Sequence, residues 1–256
     1  MKRFASRASL KASARQALLG HYLPLASAFL SLSLLEYMIV APSALIQISP
    51  PFGTFLYYGI NFAIGVFFAV FKVGIAWMFL SNACGQPVYA GGIFTGFWHE
   101  PWKAIQIQLF PSLLMLLPEL IPQLLLNRYV STLKLSWLYG SLAALLLLFP
   151  VALFVRILYS QVFFIMLDFP ELTARECLAR SRRMMKGHKW RYFVLLLSFL
   201  PWTFAAFFTC GIGMLYVYPY RQQTLACFYL DLVGGGQSDW SVFPAKKIYA
   251  PSNKKV

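Results

Sequence analysis

TARECLARSRRMMKGHKWRYFVLLLSFLPW, residues Thr173 to Trp202, is the stretch whose reading decides the class of this protein. Thr173 with Glu176 three positions on has the spacing of a capping box, in which side chains and orphan backbone donors at a helix start satisfy each other. Ala174, Cys177, Leu178, Ser181 and Met185 then fall on one helical face, and Arg175, Arg180, Arg182, Arg183 and Lys186 take the rest. Gly187 is placed to end that helix in a left-handed cap. His188, Lys189, Trp190, Arg191 and Tyr192 form a basic-aromatic collar before an almost uncharged apolar run. A basic amphipathic helix, an aromatic belt and an apolar span in that order describe a chain entering a bilayer from its cytosolic face. The nine cationic and aromatic side chains Arg175, Arg180, Arg182, Arg183, Lys186, His188, Lys189, Trp190 and Arg191 are the expected contacts to anionic headgroups.

Composition extends this reading to the whole chain. The 256 residues are 59% hydrophobic and 12% charged, with a mean hydropathy of +0.64. A soluble domain carries roughly twice that charged fraction, so the surplus apolar surface requires lipid. The net charge of +14 does not point to nucleic acid, because the bases sit at the ends of apolar segments rather than in a groove-like array. Cys84, Cys177, Cys210 and Cys227 show no C-x-x-C spacing, and neither a zinc site nor a disulfide framework is indicated.

Read in order, the chain is an all-α, polytopic membrane helix bundle of about six spans with amphipathic interfacial helices. A cytosolic amphipathic leader occupies 1–21, a membrane domain 22–232, and a basic cytosolic tail 233–256. The spans are expected at about 22–46, 55–80, 105–126, 135–167, 192–208 and 212–232, with interfacial helices at about 88–102 and 173–186. Ala26-Ser27-Ala28 resembles a signal-peptidase site, but the leading polar region is long and the apolar run continues well past it, so the first span is expected to be retained. The fourth apolar segment exceeds what one crossing needs, and Pro150 is the expected kink. With both termini inside, the leader bases, Lys103, the seven bases of 175–191 and Lys246, Lys247, Lys254 and Lys255 share the cytosolic side. Only Arg128 and Lys134 lie opposite, as the positive-inside rule requires.

Gly20-His21-Tyr22, Trp98-His99-Glu100-Pro101-Trp102 and Gly187-His188-Lys189-Trp190 each follow an amphipathic stretch and precede an odd-numbered span. This suggests three units in series, each an interfacial helix, a collar and a hairpin. The histidines themselves fit a headgroup boundary better than a shared metal site.

Several segments also resemble a known family. Leu167-Asp168-Phe169-Pro170-Glu171-Leu172-Thr173-Ala174, Ala179-Arg180-Ser181 and Met185-Lys186-Gly187-His188-Lys189-Trp190 are similar to the bacterial domain-of-unknown-function family 975. So are Leu197-Ser198-Phe199, Gly211-Ile212-Gly213, Pro219-Tyr220, Ala226-Cys227-Phe228-Tyr229 and the leader segment Ala14-Arg15-Gln16-Ala17-Leu18 with Gly20. This copy has Phe169 where an Asn commonly precedes the Pro. The resemblance implies an integral membrane protein without an established activity. It extends distantly to the membrane region of some glycerophosphodiester phosphodiesterases, whose soluble catalytic domain has no counterpart here.

No Gly-rich phosphate loop, H-E-x-x-H or G-x-S-x-G is present. His99 and Glu100 are adjacent, but neighbouring residues on a helix or turn point apart, so interfacial polarity explains them. The expectation is therefore a protein that is not an enzyme and carries no cofactor or metal. Four charges inside the spans carry more information: Glu36, Lys72, Glu119 and Arg156. At 1.5 Å per residue, both acids lie roughly 20 Å above the cytosolic ends of their spans and Lys72 about 12 Å, reaching upward from a descending helix. The two bases are therefore expected to be neutralised by the two acids in a pairing left unassigned. Two functions remain open: a scaffold or accessory in envelope or lipid processes of the bacterial inner membrane, and a small-solute or lipid transporter using the buried charges.

Overall fold

The computed structural model describes residues 4–42, 52–209 and 211–234, and these form helices joined by short turns. The expected end of the first span beyond Pro42, the Pro50-Pro51 turn, Cys210 and the basic tail from 235 onward lie outside the described residues. The helices are α1 (Arg7–Leu18), α2 (Tyr22–Val40), α3 (Phe52–Phe67), α4 (Ala69–Ala83), α5 (Thr95–Trp98) and α6 (Pro101–Thr132). They continue with α7 (Leu135–Leu158), α8 (Val162–Asp168), α9 (Ala174–Met184), α10 (Lys189–Leu197), α11 (Leu200–Phe208) and α12 (Met214–Val233). A short 3-10 turn, Ala90–Phe94, leads into α5.

Five helical stretches are long and apolar enough to cross a membrane: Tyr22–Val40, Phe52–Ala83, Pro101–Thr132, Leu135–Asp168 and Lys189–Phe208. Leu146 and Leu147, each 75% exposed on α7, show why lipid is needed, since a contiguous apolar face of this kind has no stable place in water. The expected sixth span is present as α12, but it does not reach the same apolarity. Its sequence carries Arg221, Gln222, Gln223 and Asp231. It packs among α1, α2, α4 and α11, where every residue from Gln223 to Asp231 is buried, while Arg221 and Gln222 are half-buried.

Element boundaries follow local chemistry. Thr173 and Glu176 form the capping box, with the Glu176 N–H donating to Thr173 Oγ1 at 3.4 Å and the Thr173 N–H to Glu176 Oε2 at 2.7 Å. Gly187 has φ +88°, the left-handed cap that ends this segment. The expected interfacial helix at 88–102 is shorter than its pattern suggested. It ends at Trp98, and Pro101 begins α6, where its missing N–H costs nothing at the first helical position. The helix α6 then runs through Pro111, Pro118 and Pro122 to Leu133, whose φ of +53° stops it. α7 continues through Pro150, and the break in the fourth span falls at 159–161, where the Ser160 hydroxyl donates to the Ile157 carbonyl at 2.9 Å. Membrane helices accommodate proline because neighbouring groups re-satisfy the freed carbonyl.

The first and third units of the histidine pattern share their backbone conformation. Ser6 caps α1 by accepting from the Ser9 N–H at 3.1 Å, as Thr173 caps α9 from Glu176. Gly20 (φ +84°) and His21 (φ −117°, ψ 11°) adopt the conformation of Gly187 (φ +88°) and His188 (φ −111°, ψ 0°). At the same constant offset along the chain, the buried residues Leu10, Ala14 and Leu18 correspond to Cys177, Ser181 and Met185. Leu25, Ala28 and Leu32 correspond to Tyr192, Leu195 and Phe199, all buried. The middle unit departs: there Glu100, not a glycine before the histidine, takes the positive φ of +46°.

These units close on one another. The 3-10 turn with α5 packs on α4, α9 packs on α8, and α1 packs on α12. Each interfacial element thus seats on the last helix of the unit before it, and the first unit seats on the third. A head-to-tail arrangement that closes in this way forms a ring, here within a single chain. The first and third units are further joined by the Asn82 carboxamide, which donates to the Ala17 carbonyl at 3.0 Å and to Gln223 Oε1 at 2.9 Å.

Candidate functional site: a charged cavity inside the ring

The ring borders a half-open cavity of about 860 Å³ lined from α2, α3, α4, α6, α7, α8, α10 and α12. All four intramembrane charges singled out from the sequence line it: Glu36 on α2, Lys72 on α4, Glu119 on α6 and Arg156 on α7. Their depths along separate helices were comparable, and the fold turns them towards one space. Glu119 and Arg156 approach to 3.9 Å. Lys72 and Glu36 face the same cavity, but among the described residues neither makes an ion pair. Two neutralised pairs were expected, and one loose pair is found. Lys72, on α4, is half-buried while Glu36 is exposed, and the two do not close to contact.

A fifth charge also lines this cavity, Arg221 of α12. Its guanidinium carbon lies 5.5 Å over the Tyr218 ring, and its Nε is buried without a hydrogen-bond partner. Arg221 was not among the charges singled out from the sequence. The available signal was the unit pattern. Lys72, Arg156 and Arg221 each stand on the final helical rod of their unit, and Asn82 and Asp231 follow Lys72 and Arg221 at the same spacing. Polar side chains complete the wall, among them Asn61, Gln108, Ser112 and Gln222, while Phe29, Phe79 and Phe163 supply apolar surface. The Phe29 ring stacks on Tyr218 with centroids 3.8 Å apart, which holds α2 against α12 at the cavity wall. Volumes of this size with a few convergent polar groups in an otherwise apolar lining are typical of small-molecule sites.

The basic collar divides in two. Arg175, Arg182, Arg183, Lys186 and Trp190 are exposed. Arg180 is exposed as well, with its guanidinium 3.7 Å over the Phe169 ring, and Lys189 lies 4.5 Å over Phe154. Arg191 does not belong to this outward face. It forms an ion pair with Asp231 and donates to the Ala5 carbonyl at 2.6 Å, so its charge is used inside the protein. His188 is half-buried edge-on against Phe4, centroids 4.6 Å apart. Burial and then Arg191 hold its imidazole below the usual range, against the opposing pull of Asp231. Lys11 is likewise held low by partial burial and by Arg7 and Arg15. Its ammonium donates to the Ser198 carbonyl at 3.1 Å.

His99 and Glu100 line a smaller pocket with Lys103, and the Glu100 carboxylate pairs with Lys103 at 2.9 Å instead of engaging the imidazole. His99 Nδ1 lies 2.9 Å from the Thr95 carbonyl of its own helix. Among the described residues, no three His, Cys, Asp or Glu side chains gather as a metal centre would require.

No curated protein and no solved structure matches the chain. The family described as "Protein of unknown function (DUF975)" matches residues 1–234, all the described helices included. The segments that resembled it, from the leader to the end of α12, are thus parts of one match, and this chain belongs to the DUF975 family.

Proposed function

We propose that this protein is a non-enzymatic, multi-pass protein of the bacterial inner membrane that holds a small solute or a lipid in its central cavity, for transport or for lipid handling in the envelope. The observation that carries this reading is the contrast between two kinds of charge. Asp231 and Arg191 are closed up on each other and on Ala5, as structural charges are. Glu36, Lys72, Glu119, Arg156 and Arg221 come from five helices and line one half-open cavity. A pure scaffold needs the first kind only, whereas charges kept inside a membrane bundle at some cost fit a ligand path.

For orientation, we assign the α1 start, the 173–191 segment and the end of α12 to the cytosolic side. The charge asymmetry of the loops supports this, as does the meeting of Ala5 with Asp231, which an even number of crossings between them produces. Arg175, Arg182, Arg183, Lys186 and Trp190 then face anionic headgroups.

The test uses a plug. Ser112 lines the cavity, and Ser112→Trp fills part of it without touching the charges. Wild-type protein released from membranes into mild detergent should carry a lipid or small molecule detectable by native mass spectrometry, and the folded Ser112→Trp variant should not. Equal occupancy of both, or none in either, overturns the proposal. An impermeant thiol reagent should reach a cysteine at Arg182, on a cysteine-free background, only after the cells are opened.

A further inference from the structure

The three units treat their charges unequally. Each contributes one base to the cavity from its final helical rod: Lys72, Arg156 and Arg221. Only two contribute an acid from the helix before it, Glu36 and Glu119. At the constant offset that relates the first unit to the third, the position of Glu36 is occupied by Thr203, whose hydroxyl is spent on the Phe199 carbonyl at 3.0 Å. Among the described residues, the cavity therefore holds three cations against two carboxylates. Glu119 is engaged by Arg156, and Glu36 lines the same cavity as Lys72 and Arg221.

An unmatched guanidinium inside a bilayer is costly, and such groups persist where a partner arrives from outside the protein. Arg221 lines the cavity and makes no ion pair among the described residues, which gives that deficit an address. Arginine is also the side chain whose planar donor fork best matches the oxygens of a phosphate or carboxylate. The rest of the wall sets the remainder of the ligand. A cavity of about 860 Å³ is far larger than an inorganic anion needs, and Phe29, Phe79 and Phe163 offer it apolar surface.

We infer that the cavity binds an anionic amphiphile, its phosphate or carboxylate head held by Arg221 with Lys72 and its apolar body against the phenylalanines. This rests on the ligand-holding function proposed above and names the chemistry of the ligand.

The experiment compares probes on the purified full chain in uncharged detergent, read as a shift in thermal unfolding. The probes are dihexanoyl phosphatidic acid, dihexanoyl phosphatidylcholine and inorganic phosphate. Phosphatidic acid should stabilise the wild type in a saturable way, with phosphatidylcholine giving little and inorganic phosphate at least tenfold weaker apparent affinity. Arg221→Gln should lose at least tenfold in apparent affinity for phosphatidic acid, and Arg221→Lys should retain part of it. The pair Arg182→Gln with Arg183→Gln, on the exposed face of α9, should leave that affinity unchanged, which separates the cavity from headgroup binding at the surface.

A diazirine-bearing phosphatidic acid gives a readout that does not depend on the variants folding. Its label should fall on the peptide containing 218–225 and disappear in Ser112→Trp. Equal stabilisation by phosphatidylcholine, or loss of affinity only in the α9 pair, or labelling confined to α9, overturns the anionic assignment. The first of these leaves the ligand-holding function standing. Inorganic phosphate binding as tightly as phosphatidic acid assigns the site to a free anion and overturns the amphiphile.

Discussion

The backbone N–H of Ala5 donates to the Asp231 carboxylate at 3.0 Å, fastening the start of the first helix to the end of the last. Arg191 completes the arrangement, pairing with the same carboxylate and donating to the Ala5 carbonyl. The Asp231 side chain is 1% exposed and that of Arg191 20%, so this is a buried pair that closes the ring of three units.

Removing one member of such a pair strands the other. Asp231→Ala should cost roughly 3–5 kcal/mol, because Arg191 and the Ala5 N–H lose their acceptor together. A combined Asp231→Leu with Arg191→Met should cost clearly less than the sum of the single changes. Thermal unfolding of the four proteins in detergent measures the coupling, and strict additivity would sink the account.

The cavity pair should behave differently. Glu119 and Arg156 are 3.9 Å apart, with side chains 54% and 72% exposed in the bare bundle. Where an open cavity admits water, such a pair couples by only about 0–1 kcal/mol. A double-mutant cycle with Glu119→Gln and Arg156→Gln should therefore return a small coupling energy, well under that of Asp231 and Arg191. A coupling above about 3 kcal/mol would show a dry, structural pair.

Close backbone approach fixes the seat of α5 on α4. A Cβ on Gly74 would lie 2.0 Å from the Ile93 carbonyl oxygen, and one on Gly96 would lie 1.9 Å from that of Val70. Gly74→Ala and Gly96→Ala should each destabilise by about 1–3 kcal/mol through forced separation of the two elements. Gly140→Ala, with nothing within 4 Å of its added carbon, is the control and should be neutral or stabilising. Unfolding temperatures of the three variants check this, and a fall in Gly140→Ala as large as in the others would remove the contact explanation.

Acidification should loosen the junction of α1 and α10. The folded-state pKa of His188 is below its unfolded value, so the unfolded chain takes up the proton first as pH falls. The stability linked to the neutral ring is present above the ordinary histidine pKa of about 6.5 and is lost as pH drops below it. His188→Gln should flatten the pH dependence of thermal stability between about pH 7.5 and 5. An unchanged pH profile in that variant would assign the dependence to other groups.

Much of this was legible in the sequence because it depends on local pattern. The capping box at Thr173 and Glu176, the left-handed Gly187, the buried face of α9 and the apolar spans all follow from spacing within a few turns. The gathering of Glu36, Lys72, Glu119 and Arg156 could be foreseen as a matter of depth, since helix rise converts sequence position into height. Depth does not give azimuth. Whether charges at one height meet as pairs or face a shared space depends on how their four helices rotate about their axes, and only packing settles that. The same limit hid Arg221 and turned Arg191 inward, because a base at a span end reads alike whether it meets a phosphate or a carboxylate from another helix. What the sequence determined by itself was the membrane bundle and the likeness of its first and third units, through hydrophobic period and capping chemistry. The tertiary structure alone decided that the units close into a ring, because closure rests on contacts such as Ala5 with Asp231 between chain ends that no local interaction brings together.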